Sequence, residues 1–68
     1  MSREVVDARL LETGNKIELE NGAIAEVVSN PRDGMWVFGR FLSHPDDSVV
    51  QGNMDHAIFA PEIVRQID

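Results

Sequence analysis

The chain has 68 residues, enough for one domain, and it contains no cysteine. Disulfides and thiolate metal sites are therefore excluded. The sequence holds 12 acidic and 6 basic residues, which give a formal net charge of −6, and the basic residues are scattered singly. Because nucleic-acid binding draws on the neutralisation of phosphates, this balance argues against a nucleic-acid partner.

No apolar run approaches the roughly 20 residues needed to span a bilayer, and none of signal-peptide length follows the N-terminus. We therefore expect a soluble cytoplasmic protein with no membrane partner.

Short apolar segments alternate with turn signals, a pattern typical of a small β barrel or sandwich. The turn signals are Thr13-Gly14-Asn15, Asn21-Gly22, Asn30–Gly34, His44–Asp47 and Gly52-Asn53.

The N-terminal segment, residues 1–14, has an ambiguous apolar pattern. Val6 and Leu10 are four residues apart, as on one face of a helix, but Val5, Val6, Leu10 and Leu11 could equally belong to an extended arm. We expect an arm, or a short strand or helix, that packs on a barrel formed by residues 15–68.

Residues 16–20 alternate between charged and apolar side chains, which predicts a strand with Ile17 and Leu19 on one face. Asn21-Gly22 then predicts a hairpin turn. A two-residue loop would bury Glu26, whereas a three-residue loop with Gly22 in the left-handed position keeps it exposed. We expect the three-residue loop. The side chains then predicted to face the core are Ile17, Leu19, Ala25 and Val27.

Residues 35–42 form the strongest predicted strand, and both of its faces are largely apolar. Arg40 decides which face lies outside. The predicted outer face consists of Trp36, Phe38, Arg40 and Leu42. The predicted core face consists of Met35, Val37, Gly39 and Phe41, with Gly39 allowing the strand to coil tightly.

The remaining elements are short. Residues 49–51 are predicted as a brief strand or as part of a long loop, and residues 56–60 as a fourth strand. Pro61 prevents that strand from continuing in a central ladder and begins a helical turn over residues 61–64. Residues 65–68 could return as a last short strand.

The order of these parts resembles that of SH3-like barrels. Met35-Trp36 lies where SH3 domains have a tryptophan pair, and Pro61-Glu62-Ile63-Val64 lies where they have a proline-led helical turn. The resemblance implies an all-β fold, a small SH3-like barrel of about five short antiparallel strands with one helical turn at 61–64. It does not imply recognition of proline-rich peptides, because the chain has no tyrosine and Met35 replaces the ligand-stacking tryptophan. Many small bacterial SH3-like proteins form homo-oligomers.

The sequence contains no catalytic motif. There is no cysteine nucleophile and no Gly-x-Ser-x-Gly elbow, and the glycines are dispersed as turn residues. We therefore predict no catalytic residue and no cofactor.

One group of side chains has the chemistry of metal ligands, and its members could converge if the 46–54 loop folded back. This group consists of His44, Asp46, Asp47, Asp55 and His56. Its spacing matches no metal motif and its composition is that of ordinary turns, so we predict no metal site.

The predicted outer face of Trp36, Phe38, Arg40 and Leu42 is the main candidate for function, because aromatic residues and arginine are enriched in binding hot spots. Three alternatives stay open: the N-terminal arm covers this face, a second copy binds it, or another protein binds it. We expect a non-enzymatic interaction module with itself or another protein as partner.

An enzymatic alternative also stays open. Small plasmid-encoded SH3-like reductases bind cofactor and substrate in a pore at the centre of an oligomer, and they carry a Val-Gln-Ile-Tyr run ahead of a proline. The corresponding run is His56-Ala57-Ile58-Phe59, followed by Ala60-Pro61, so only the apolar positions match. A ligand site between subunits is therefore the second hypothesis. A nucleic-acid-binding barrel is the third, against which the net charge counts.

Overall fold

The computed structural model describes residues 6–51 and 54–67. In this part of the chain, five antiparallel strands form one sheet in the order β4-β3-β2-β1-β5. The strands are β1 (Lys16–Leu19), β2 (Ile24–Ser29), β3 (Trp36–Ser43), β4 (Asp55–Phe59) and β5 (Ile63–Gln66). A 3-10 helix (Ala8–Leu10) precedes β1, helix α1 (Asp47–Gln51) follows β3, and a second 3-10 helix (Ala60–Glu62) joins β4 to β5.

The prediction of an all-β domain of about five short antiparallel strands is confirmed. Four strands follow one another as a meander, and β5 returns to pair with β1. A single helical turn, Ala60–Glu62, joins the last two strands. No helix in the described residues is long and apolar enough to cross a membrane.

The β1–β2 hairpin has the predicted three-residue loop. Ile17 pairs with Ala25, and the amide of Leu19 donates to the carbonyl of Ala23 at 2.8 Å. Gly22 has φ +89°, a left-handed conformation that favours glycine. The four side chains expected in the core are at most 5% exposed, so the predicted register is correct.

The core draws on every strand and also on the N-terminal segment. Ala8 is 5% and Leu11 is 1% exposed. Asn30 holds this segment in place, because its Nδ2 donates to the carbonyls of Ala8 at 2.7 Å and Leu11 at 2.8 Å. The buried hydrophobic residues are Ala8, Leu11, Ile17, Leu19, Ala23, Ala25, Val27, Val37, Ile58 and Ile63.

The predicted core face of the third strand needs one correction. Val37 and Gly39 are buried and Phe41 packs against the core, as expected. Met35, however, is 53% exposed. It lies in the bend before β3, where its amide donates to the Asp33 carboxylate, so the strand begins one residue later and Met35 stays beyond the core.

The 3-10 helix of the N-terminal segment is one of the alternatives predicted for it, whereas two other short elements differ from the sequence-based prediction. Residues 49–51 belong to α1 and form neither a strand nor an open loop, because Ser48 donates through both its amide and its hydroxyl to Asp46 and starts a helical turn. The turn predicted at 61–64 occupies Ala60–Glu62, and Ile63 already belongs to β5.

Candidate interaction surfaces

An exposed group of aromatic rings lies on the outside of the sheet. Trp36 is 41% and Phe38 is 39% exposed, and both point outward from β3. Phe59 lies opposite Trp36 on β4, and Ala57 lies opposite Phe38. The ring centroids of Trp36 and Phe59 are 5.1 Å apart at an interplanar angle of 48°. We call these four residues, Trp36, Phe38, Ala57 and Phe59, the outer aromatic face.

The other half of the predicted outer face is polar. Arg40 lies between Glu26 on β2 and Asp55 on β4, and its Nη2 is 3.6 Å from Asp55 Oδ1. Both side chains of this ion pair are about half exposed, so solvent screens it strongly. Leu42 is 45% exposed and follows Arg40 along the strand. Of the four predicted residues, Trp36 and Phe38 therefore belong to the aromatic group, whereas Arg40 bounds it and Leu42 lies beyond.

Phe59 was not among the predicted site residues. Its contribution depends on the pairing of β3 with β4, in which Trp36 faces Phe59. These two residues are separated by a long connection that includes α1, so no local pattern indicates that they meet. The available signal was that Phe59 is the one aromatic residue of the predicted fourth strand.

The described part of the N-terminal segment leaves the outer aromatic face open. Leu11 turns into the core, whereas Leu10 is 72% exposed. Val6 packs against the core cluster. With this segment in place, Trp36 and Phe38 still expose about two-fifths of their surface. Val5, which was also expected to contribute to an arm, lies outside the described residues.

The histidines and aspartates considered as metal ligands have separate structural roles. Asp46 accepts hydrogen bonds at the start of α1, which lower the pKa of its carboxyl, first through the Ser48 hydroxyl and then through the Ser48 amide. Asp47 is the exposed first residue of that helix. Asp55 pairs with Arg40 on the outer side. In the described residues, no three histidine or acidic side chains are placed to hold a metal ion.

The rings of His44 and His56 both pack against the ring of Phe41. The centroid of Phe41 is 4.8 Å from that of His44, edge to face, and 5.2 Å from that of His56. Nδ1 of His44 accepts the amide of Asp46 at 3.0 Å. Nε2 of His56 is buried without a hydrogen-bond partner in the described residues. These three rings therefore form one aromatic contact.

A cleft of about 290 Å³ opens beside this contact. It lies between β4 and the turn that joins β1 to β2, and we call it the edge cleft. Its walls include the acidic residues Glu20 and Glu62, the aromatic ring of Phe41, and His44. Ala57 of β4 also lines it, together with Leu19, Asn21 and Ile58.

Comparisons of the chain with protein-family models, with curated proteins and with solved structures found no match.

Proposed function

We propose that this protein is a non-enzymatic interaction module of the cytoplasm, and that it associates with a second copy or docks on another protein through the outer aromatic face. The observation that carries the proposal is the exposure of Trp36 and Phe38 beside Phe59. Large aromatic side chains supply much of the binding energy of protein interfaces, because each buries a large area with few rotatable bonds.

The shape of this surface supports contact with a protein. Its rings belong to two paired strands, so the backbone holds them in place before binding and little side-chain freedom is lost. Ala57 leaves a shallow position beside Phe38, into which a partner side chain would fit. Arg40 and Asp55 add a polar border of the kind that surrounds interface hot spots.

The test is the Trp36→Ala variant. We expect the variant to remain folded because Trp36 is 41% exposed, and we expect association to weaken about tenfold or more, as for a typical hot spot. Oligomeric state would be measured by light scattering and native mass spectrometry at micromolar protein for the wild type and the variant. Circular dichroism would check that the variant is folded.

Leu10→Ala is the matched control, since Leu10 is a 72% exposed apolar residue that is not part of the outer aromatic face. It should associate like the wild type. A folded Trp36→Ala variant that forms the same oligomer as the wild type would contradict self-association through this face. If the wild type is monomeric, self-association through this face is excluded, and docking on another protein becomes the hypothesis to test. Loss of the folded state in Trp36→Ala would show that Trp36 belongs to the core.

A further inference from the structure

We infer that the edge cleft binds an extended peptide segment with a basic side chain, which pairs with β4 as an additional strand and places its ammonium or guanidinium group between Glu20 and Glu62. This site meets the outer aromatic face only at Ala57, whose backbone lines the cleft, and the inference does not depend on the proposed function.

The backbone of β4 has an open edge. Across residues 6–51 and 54–67, β4 pairs with β3 alone, at the end of the sheet. The amide of Ala60 donates to the carbonyl of Met35 at 2.7 Å, which makes these two residues a hydrogen-bonded pair. Hydrogen-bonded and non-hydrogen-bonded pairs alternate in an antiparallel ladder. Ala57 and Phe38, three positions along, are therefore a non-hydrogen-bonded pair.

It follows that the N–H and C=O groups of Ala57 point away from β3 and toward the edge cleft, which Ala57 lines. An exposed strand edge of this kind is a template for an added strand. In β-strand addition, such backbone hydrogen bonds supply affinity and neighbouring side-chain pockets supply specificity. Methyl side chains such as that of Ala57 leave the approach to these backbone groups open.

The acidic residues of the cleft favour a basic side chain on the bound peptide. Glu20 and Glu62 line it, and none of its lining residues in the described chain is a lysine or arginine. The amide of Glu20 donates to the carbonyl of Glu62 at 2.9 Å, so the two acidic residues are held on one wall. The ring of Phe41 adds an aromatic surface, which also favours a cation.

The volume of the cleft and the net charge of the chain further restrict which ligand could bind there. A volume of about 290 Å³ is at the lower limit of small-molecule pockets and suits one long side chain rather than a dinucleotide cofactor. A second copy of the chain is a poorer fit than a basic peptide, because each copy carries a net charge of −6.

The experiment is a titration of the isotope-labelled protein followed by amide chemical shifts in NMR. The probe is the capped peptide Thr-Val-Lys-Val-Thr. We expect saturable shifts at Ala57 and Glu20. Three matched peptides serve as controls: one with glutamine and one with glutamate in place of lysine, and one methylated on the backbone nitrogens that would pair with β4. Each control should bind at least about fivefold more weakly.

Variants of the protein locate the site. Glu20→Gln and Glu62→Gln change exposed side chains and should remain folded, and each should weaken binding of the lysine peptide about threefold to tenfold. Trp36→Ala should bind it like the wild type, which separates this site from the outer aromatic face.

Three results would overturn the inference. The first is the absence of saturable shifts with the lysine peptide at millimolar concentration. The second is equal affinity for the lysine and glutamine peptides, or for the methylated peptide. The third is a set of shifts centred on Trp36 and Phe38, which would assign the peptide to the outer aromatic face.

Discussion

Gly39 occupies a position on the core face of β3 where two neighbouring strands leave no room for a side chain. A Cβ placed there would lie 2.9 Å from Cδ1 of Ile58 and 3.0 Å from the carbonyl oxygen of Glu26. The carbonyl belongs to the backbone of β2 and cannot move aside without disturbing the ladder. Close packing of the two strands therefore requires glycine at this position.

We expect Gly39→Ala to lower the free energy of unfolding by about 1–3 kcal/mol, the usual cost of forcing an extra carbon into a packed core. Urea unfolding would measure the change. Ser43→Ala is the matched control on the same strand, because Ser43 is exposed, and it should change stability by less than about 0.5 kcal/mol. A Gly39→Ala variant with the wild-type unfolding midpoint would show that β2 and β3 can separate at little cost.

Three exposed aspartates have lowered pKa values because hydrogen bonds stabilise their ionised forms. For Asp33, the donors are the backbone amides of Met35 and then Trp36, at the start of β3. For Asp7, the main cause is the side chain of Arg9. For Asp46, it is the hydroxyl of Ser48. Each carboxylate therefore stabilises a turn or a helix end, and does so most strongly while it is ionised.

These shifts make stability depend on pH in a defined direction. Because the pKa of Asp33 is lower in the folded chain than in the unfolded chain, the unfolded chain takes up the proton first. The stabilisation is complete at neutral pH and is lost as the pH falls below about 4. We expect the melting temperature to drop between pH 7 and pH 3, and to drop less in Asp33→Asn. Equal drops in the two proteins would contradict this role of Asp33.

At the scale of elements, two side chains that follow β2 attach the N-terminal 3-10 helix to the rest of the fold: that of Asn30, and that of Arg32, whose Nη1 donates to the carbonyl of Arg9 at 2.8 Å. Asn30 follows β2 and donates to the carbonyls of Ala8 and Leu11, and its Oδ1 accepts the amide of Arg32 at 2.9 Å. Leu11 is thereby held in the core. The sequence indicated a turn at this asparagine, but the distant carbonyls that it contacts have no local signature.

We expect Asn30→Ala to cost about 1–3 kcal/mol in unfolding free energy, because two carbonyls lose their donor. Asn30→Asp should cost more at neutral pH, since an ionised carboxylate has no hydrogen to donate and faces two carbonyl oxygens. Chemical unfolding of the three proteins would give the order wild type, Asn30→Ala, Asn30→Asp. An aspartate variant as stable as the wild type would contradict the proposed attachment.

How well each element was predicted depended on how far apart in the sequence its interacting residues lie. The β1–β2 hairpin was predicted to the residue because alternation and Gly22 are both local signals. Helix α1 was missed because its five residues have no amphipathic repeat and depend on the Asp46 side chain as a cap. Met35 was misplaced because the strand pattern extends through it, while the bend around Asp33 ends the strand.

At the scale of the whole molecule, the fold class could be predicted and much of the candidate surfaces could not. The count of turn signals and the final proline-led turn were enough to indicate a small five-stranded barrel, and five strands are present. The approach of Phe59 to Trp36 and the formation of the edge cleft depend on how strands distant in sequence are placed beside one another. Such contacts arise from tertiary packing, and no periodic pattern in the sequence indicates them.

The return of β5 to β1 has a consequence for the order in which the chain folds. Three of the four strand pairings join neighbours in sequence, whereas the β1–β5 pairing joins residues such as Glu18 and Arg65, which are 47 positions apart. Closing a long loop costs more chain entropy than closing a hairpin, so pairings of neighbouring strands can form first. We expect the meander to form early and β5 to dock last, with Ile63 sealing the core. Mutations in β5 should then act mainly by speeding unfolding, while those in the β1–β2 hairpin should slow folding.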